Sequence, residues 1–334
     1  MSMDKSAPVV EPTGLDRHQL RDLLTGSVTS IGVALLLVVI IGLTWVGPNF
    51  LSTSNVTIMG SFVAIPMIVA AFAGFALLAG VVDLSIGSML GFSSNICAAL
   101  MAAGWPLAGA IPVALVACLI CGAINATAIV IFGADTIAAT LGMLVALRGM
   151  TYIISGPVGM IAAFDNDFYN LVNLTVGPLP LIFVFSLVVI GLAAFIVSRT
   201  RRGRHIQAVG GDDRAAARAG ISVTRVRFVA LMLSALGAGI GGILYVGQLG
   251  SASNYTGTGL EFQVYAAMMI GGYSILRGGI GNPIGAALGL LVVAGTSNII
   301  DVRAISPYLT NIIVGLMLLA AVLLDRLRGG DAYE

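Results

Sequence analysis

Two short constellations hold the residues best placed to act rather than merely to pack. The first runs Gly210-Gly211-Asp212-Asp213-Arg214-Ala215-Ala216-Ala217-Arg218-Ala219-Gly220. Either aspartate can cap a helix, because a carboxylate accepts hydrogen bonds from the free backbone N–H groups of a first turn. The alanines then favour helix, and Gly220 supplies a left-handed stop. The pattern predicts a capped helix of about two turns, too short to be stable unless it packs on something. Its chemistry would be mechanical: a small basic helix that inserts into a partner. Ordinary basic charge on a long loop explains the same arginines, and the residues alone leave both readings open.

The second constellation, Gly80-Val81-Val82-Asp83-Leu84-Ser85-Ile86-Gly87, joins two apolar runs. Asp83 can cap the helix that follows, where negative charge is favourable. Alternatively Gly80, Asp83, Ser85 and Gly87 form a hinge or gate. A second glycine-rich turn, Gly278-Gly279-Ile280-Gly281, loosely echoes it and supplies Gly278 and Gly279 to the same hinge set.

Catalysis is excluded by what is missing. A phosphate-binding Walker loop needs a lysine behind its glycines, and the only lysine is Lys5. The two histidines, His18 and His205, stand far apart and outside any zinc or Ser-His-Asp pattern. Cys97, Cys118 and Cys121 lie in apolar runs and are expected as buried, reduced thiols. No metal or resident cofactor is expected, and any ATP-driven work would fall to a partner that holds ATP and Mg.

The elements that must position these residues are membrane helices. Of 334 residues, 58% are hydrophobic and 9% charged, against roughly 25% charged in soluble domains. So few charges cannot cover a water-facing surface, so most of the surface must face lipid. With a span needing about 17–25 apolar residues, candidates fall near 28–47, 60–82, 86–103, 107–131, 136–155, 179–198, 227–248, 262–276, 280–300 and 306–324. The chain is expected to be an all-α membrane protein, a polytopic bundle of about ten transmembrane helices. A tail, 1–27, precedes a transmembrane domain, 28–325, that contains a loop at 199–227; a second tail, 326–334, follows. The run from Val28 to Val46 is too long for a signal-peptide core. The span that opens with Glu261 and Gln263 has doubtful limits, and re-entrant backbone is possible there if protein covers it.

With this count, all of the 16 basic residues except Arg148 and Arg303 fall on one side. The positive-inside rule makes that side cytosolic, termini included. Trp45 and Trp105 then lie at the outer interface. Small residues four apart, at Gly87/Gly91, Gly237/Gly241 and Gly281/Gly285/Gly289, are expected as helix-packing faces. Asn95, Asn125, Tyr152, Gln263 and Tyr265 are polar groups at membrane depth, hence candidate pathway residues or partners for backbone groups between helices. Arg148, alone in a span, is expected to find a partner or to face water, and Asp165 or Asp167 of the outer loop could be its mate. Asp165, Asp167, Asp301 and Arg303 could meet an external partner. Acids fall only at the edges of spans, which disfavours an ion-coupled symporter, and the arginine-rich loop disfavours a passive channel.

The motifs together resemble a known family. Asp83-Leu84-Ser85-Ile86-Gly87-Ser88 behind Ala79-Gly80 resembles its "GG-hydrophobic-DLS-hydrophobic-G" signature, with Val81 where a second glycine is usual. Thr140-Leu141-Gly142-Met143, with Arg148-Gly149 beyond it, resembles its "TLGM…RG" stretch. Gly203-Arg204 through Gly220-Ile221 resembles its "GR…AxGGNxxAAxxxGI" loop, with Asp212-Asp213 where Asn-Glu is usual, and Gly278-Gly279-Ile280-Gly281 completes the set. These stretches, collinear from about residue 35 to 328, are similar to permease subunits of bacterial ATP-binding cassette importers for monosaccharides. The resemblance implies a second permease subunit, a separate ATPase docked on the 210–220 helix, a periplasmic binding protein that delivers the sugar, and no nucleic acid. It also implies a fold like that of cobalamin-type importer permeases and transport by alternating access. A permease for a polyol, a nucleoside or a branched-chain amino acid is the nearest alternative.

Overall fold

The structure, a computed structural model, describes residues 27–329. The expected N-terminal tail up to residue 26, with Lys5, Arg17, His18 and Arg21, lies outside the described residues, as do residues 330–334. The apolar runs form helices because nothing else satisfies backbone N–H and C=O groups in lipid. In order they are α1 Ser27–Trp45, α2 Thr53–Leu78, α3 Ile86–Ala102, α4 Leu107–Ala126, α5 Thr136–Ser155, α6 Asn166–Val172, α7 Leu181–Arg199, α8 Arg201–Gly211, α9 Asp213–Arg218, α10 Val223–Leu249, α11 Leu260–Ile270, α12 Pro283–Val302 and α13 Pro307–Gly329. A π turn, Thr127–Ile131, extends α4.

Seven of these helices, α2, α4 with its π turn, α5, α7, α10, α12 and α13, are long and apolar enough to cross a membrane. Three shorter apolar helices, Ile31–Trp45 within α1, α3 and α11, bring the apolar set to the expected ten. The chain is therefore polytopic. Two span limits move. The expected 60–82 span is α2, which starts seven residues earlier at Thr53 and stops at Leu78, because the chain leaves the helix before Gly80. The expected 262–276 span is only α11, ending at Ile270 with Gly271-Gly272 beyond it. At the other end α13 continues past the expected boundary at 325 to Gly329.

Helices α2, α10 and α12 are mostly buried, whereas α4, α5, α7 and α13 show most of their surface. Helix α10 packs on α2, α3 and α4; α12 packs on α11, α2 and α1; α3 packs on α5. Gly237, Gly285 and Gly289 of the expected small-residue faces make these approaches, whereas Gly281 lies ahead of α12 and is not on its face. A Cβ on Gly237 would run into Phe72, one on Gly285 into the Gly271 carbonyl, and one on Gly289 into the Ala267 carbonyl. Such backbone-on-backbone approach drives helix association in lipid, where no hydrophobic effect acts between spans. Asn55 on α2 and Asn298 on α12 exchange two amide hydrogen bonds of 2.8 and 2.9 Å, and both are buried.

One end of the bundle carries α8 and α9. The opposite end carries α6 and two short antiparallel pairs: β1 (Met160–Ala162) with β4 (Ser251–Ser253), and β2 (Thr175–Val176) with β3 (Leu179–Pro180). Trp45 and Trp105 are both exposed at this opposite end.

Candidate functional site

The loop between α7 and α10 is largely helical. Helix α8 is N-capped by Thr200, whose hydroxyl accepts from the Gly203 N–H at 3.1 Å. Helix α9 is the expected short helix: Asp212 accepts from the Ala215 N–H at 2.9 Å, and the helix ends at Arg218 before Gly220 at φ 81°. Ala216 is buried against the bundle, while Arg214, Ala215, Ala217 and Arg218 face outward. The exposed side is thus a small alanine ridge between two cations.

What α9 is fixed to is the less foreseeable part. Gly210, at the end of α8, lies against both glycine-rich turns. A Cβ there would strike the Leu78 carbonyl and the Gly279 N–H, and one on Gly278 would strike Gly210 and Gly80. The Gly279 N–H donates to Leu78 O at 2.9 Å, and Gly279 holds φ 79°, which a side chain would strain. Three glycine segments distant in sequence therefore meet backbone to backbone. Arg227, in the first turns of α10, ties the joint together. Its guanidinium donates to Asp213 of α9 at 3.2 Å and to the Ala79 carbonyl at 3.3 Å. Both partners are partly exposed, so the pair adds little stability, but it fixes α9 to the end of α2.

Beyond Gly80 the chain stays non-helical and climbs into the bundle. Asp83 is 1% exposed. It does not cap α3: Ser85 takes the N-cap position, and Asp83 binds across helices instead. One carboxylate oxygen accepts from the Ser85 hydroxyl at 2.5 Å and the Ser85 N–H at 3.1 Å; the other accepts from the Ser234 hydroxyl of α10 at 2.7 Å. Asn125 of α4 donates to the Ser85 oxygen at 3.1 Å. The Tyr265 hydroxyl of α11 accepts from the Asp83 N–H and donates to the Asp83 carbonyl. Asn125 and Tyr265, candidates for the pathway, thus join Asp83 and Ser85, candidates for the hinge, in one closed polar knot. Ser234 lies about 16 Å along α10 from its start, at 1.5 Å per residue, so this knot sits at depth. A buried polar network tolerates no missing member, because a lone polar group in apolar surroundings is costly.

A second run of non-helical backbone, Asn254–Gly259, lies against the α3 face formed by Gly87, Gly91 and Asn95. A Cβ on Gly87 would meet the Glu261 carboxylate and the Gly257 carbonyl, and one on Gly91 the Thr256 carbonyl. Asn95 donates to the Ser253 carbonyl at 2.9 Å. Arg148 donates to the carbonyls of Asn254 and Thr256 at 3.1 and 2.8 Å. It thus finds a partner, as one of the two expectations had it, but in backbone carbonyls of this non-helical run and not in Asp165 or Asp167. Nor are acids confined to span edges: Glu261, like Asp83, is buried in the bundle. Tyr152 is exposed on α5 and stacks edge-on with Tyr255 at 6.3 Å, and Gln263 is half-buried. At the far end Asp165 caps α6 through the Phe168 N–H, while Asp167, Asp301 and Arg303 are exposed. Among the described residues no cluster of His, Cys, Asp and Glu could hold a metal.

The sequence reading missed Ser234, Arg227 and Glu261. A serine in the apolar run of α10 was a visible signal for the first. Nothing marked Arg227 among the other loop arginines.

Residues 56–322 match the family model described as the permease component of the branched-chain amino acid transport system. The D-allose transport system permease of Escherichia coli K12 is 32% identical over 83% of this chain and 85% of its own length. The ribose import permease of the same organism is 30% identical over 87% and 91%. An autoinducer 2 import system permease of E. coli O157:H7 is 30% identical over 90% and 87%. No solved structure matches. With most of its length covered by the family model and these alignments, the chain belongs to this family of permease subunits of ATP-binding cassette transporters, which lack an ATPase site of their own.

Proposed function

We propose that this chain forms the pore of a bacterial monosaccharide importer. A periplasmic binding protein brings the sugar to the β1/β4 end, a second permease subunit completes the pathway, and a separate ATPase binds α9. The ten apolar helices cross the inner membrane with both termini cytosolic, on the side where the arginines of α8 to α10 gather. The substrates for which three relatives are named, D-allose, ribose and autoinducer 2, support a small, neutral, hydroxyl-rich cargo over an amino acid. The exposed Tyr152 and Tyr255 offer such a cargo aromatic faces.

The observation that carries this reading is the connection from α9 to Asp83. The ATPase would move α9; Arg227 and the three-way glycine joint would pass that movement to Gly80; the Gly80–Ser85 segment would carry it to the knot that clasps α3, α4, α10 and α11. Close-packed backbones transmit displacement because interiors are bistable rather than compliant. ATP and Mg stay on the partner, whose closure shifts the balance between inward- and outward-open states.

The test is uptake of labelled ribose and D-allose into vesicles holding the purified chain. Uptake that needs ATP, the ATPase and the binding protein together is the expected result. Uptake by the chain alone would make it a channel or a secondary carrier and would remove any role for α9.

A further inference from the structure

A cleft of about 1050 Å³ opens on the bundle surface between α2, α7 and α10. None of the residues of the glycine joint or the Asp83 knot lines it. Its walls are apolar, with Phe72, Phe75, Val189, Leu192 and Leu233 among them. Its rim at the α8 end is basic, formed by Arg201, Arg202 and Arg225 with Thr200 and His205. All three arginines are exposed, and among the described residues none has an acidic partner within salt-bridge distance.

The dimensions select an occupant. From Val189 to Arg199 the α7 wall runs ten residues, about 15 Å at 1.5 Å per residue. That is half of the ~30 Å hydrocarbon core, the depth of one leaflet. An apolar trough one leaflet deep, ending in three unneutralised cations, is complementary to one molecule with an acyl tail and a phosphate head. We propose that this cleft is a binding site for an anionic phospholipid, with its chains along α7 and α10 and its phosphate against Arg201, Arg202 and Arg225. Zwitterionic lipids would fill the trough equally well but would gain less at the rim. The site does not depend on what the chain transports. It would, however, join the end of α7 and the start of α8 to the first turns of α10, the helices that flank α9.

The test uses the full chain in detergent, with phosphatidylglycerol and phosphatidylcholine added in turn and binding followed by native mass spectrometry and thermal unfolding. Three arginines at about 1 kcal/mol each predict a preference for phosphatidylglycerol of roughly a hundredfold, at 1.4 kcal/mol per tenfold. The triple variant R201Q/R202Q/R225Q should lose the preference while its lipid-free unfolding temperature stays unchanged. Val229→Trp, at an exposed position within the cleft, should weaken both lipids alike. Equal binding of the two lipids by the native chain would overturn the proposal, as would a preference that survives the triple variant. A Val229→Cys chain that cross-links to a second copy in membranes would assign this face to a protein contact and overturn it too.

Discussion

Substituting Gly210 by alanine tests whether the glycine joint is as tight as it looks. A methyl there collides with the Leu78 carbonyl and the Gly279 N–H, both backbone atoms that cannot swing aside. Overpacking of this kind costs about 1–3 kcal/mol. Separating the two turns also weakens the 2.9 Å bond from Gly279 to Leu78, about 1 kcal/mol for an ordinary hydrogen bond. Against this, alanine in α8 gains about 1 kcal/mol of helix propensity over glycine. The net expectation is a loss of about 1–3 kcal/mol, led by the steric cost. Gly211 is the built-in control, since nothing lies within 4 Å of its Cβ position, so Gly211→Ala should leave stability unchanged or raise it slightly. Thermal unfolding of the two variants in one detergent reads the difference directly. In vesicles with the partner proteins, Gly210→Ala should also lower uptake per ATP hydrolysed. If the two variants unfold together, the three turns do not touch as described and the path from α9 to Asp83 fails with them.

Arg227→Gln should leave folding nearly intact, since a part-exposed ion pair contributes only about 0–1 kcal/mol, yet reduce uptake relative to ATP hydrolysis; equal reduction of both would point to a lost subunit contact instead. Asn55→Leu or Asn298→Leu alone should cost about 1–3 kcal/mol by stranding a buried amide, while the double variant should recover much of that loss in an unfolding cycle. Arg148→Met strands two carbonyls of the broken span, at about 1–3 kcal/mol each, and limited proteolysis should then cut within 254–259; an uncut variant would show that the arginine does not hold this segment. Ser234→Ala removes one of three donors to the buried Asp83 carboxyl group, about 1–3 kcal/mol for an acceptor left short of a partner, and Ser234→Thr should restore most of it in the same melting assay.

The sequence reached some of this architecture and not the rest, for physical reasons. Apolar runs mark the chain as a polytopic membrane protein because lipid enforces length and composition together. The cap at Asp212 and the stop at Gly220 were legible because capping is local chemistry. The limits of α2 and α11 were not: an apolar count runs straight through Leu78 to Val82 and Ile270 to Tyr273, yet Gly80 at φ 76° and Gly272 at φ 91° close C-terminal caps in which the Val81 and Tyr273 N–H groups turn back to the Ala76 and Met268 carbonyls. The same applies to function. Gly80, Gly210 and Gly279 each look like a local turn, and their meeting is a property of the fold alone. Asp83 looked like a cap because its spacing to α3 allows one, but Ser234 and Ser85 offer it better donors.

Helix α11 also constrains how the protein can be made. Its eleven residues reach about 16 Å, half of what a bilayer requires, so an inserting chain gains too little from this segment alone to leave it across the membrane. It acquires a stable place only when α12 emerges and the Gly271–Gly285 and Ala267–Gly289 approaches can form. Biogenesis of this permease is therefore expected to commit the two segments as one hairpin.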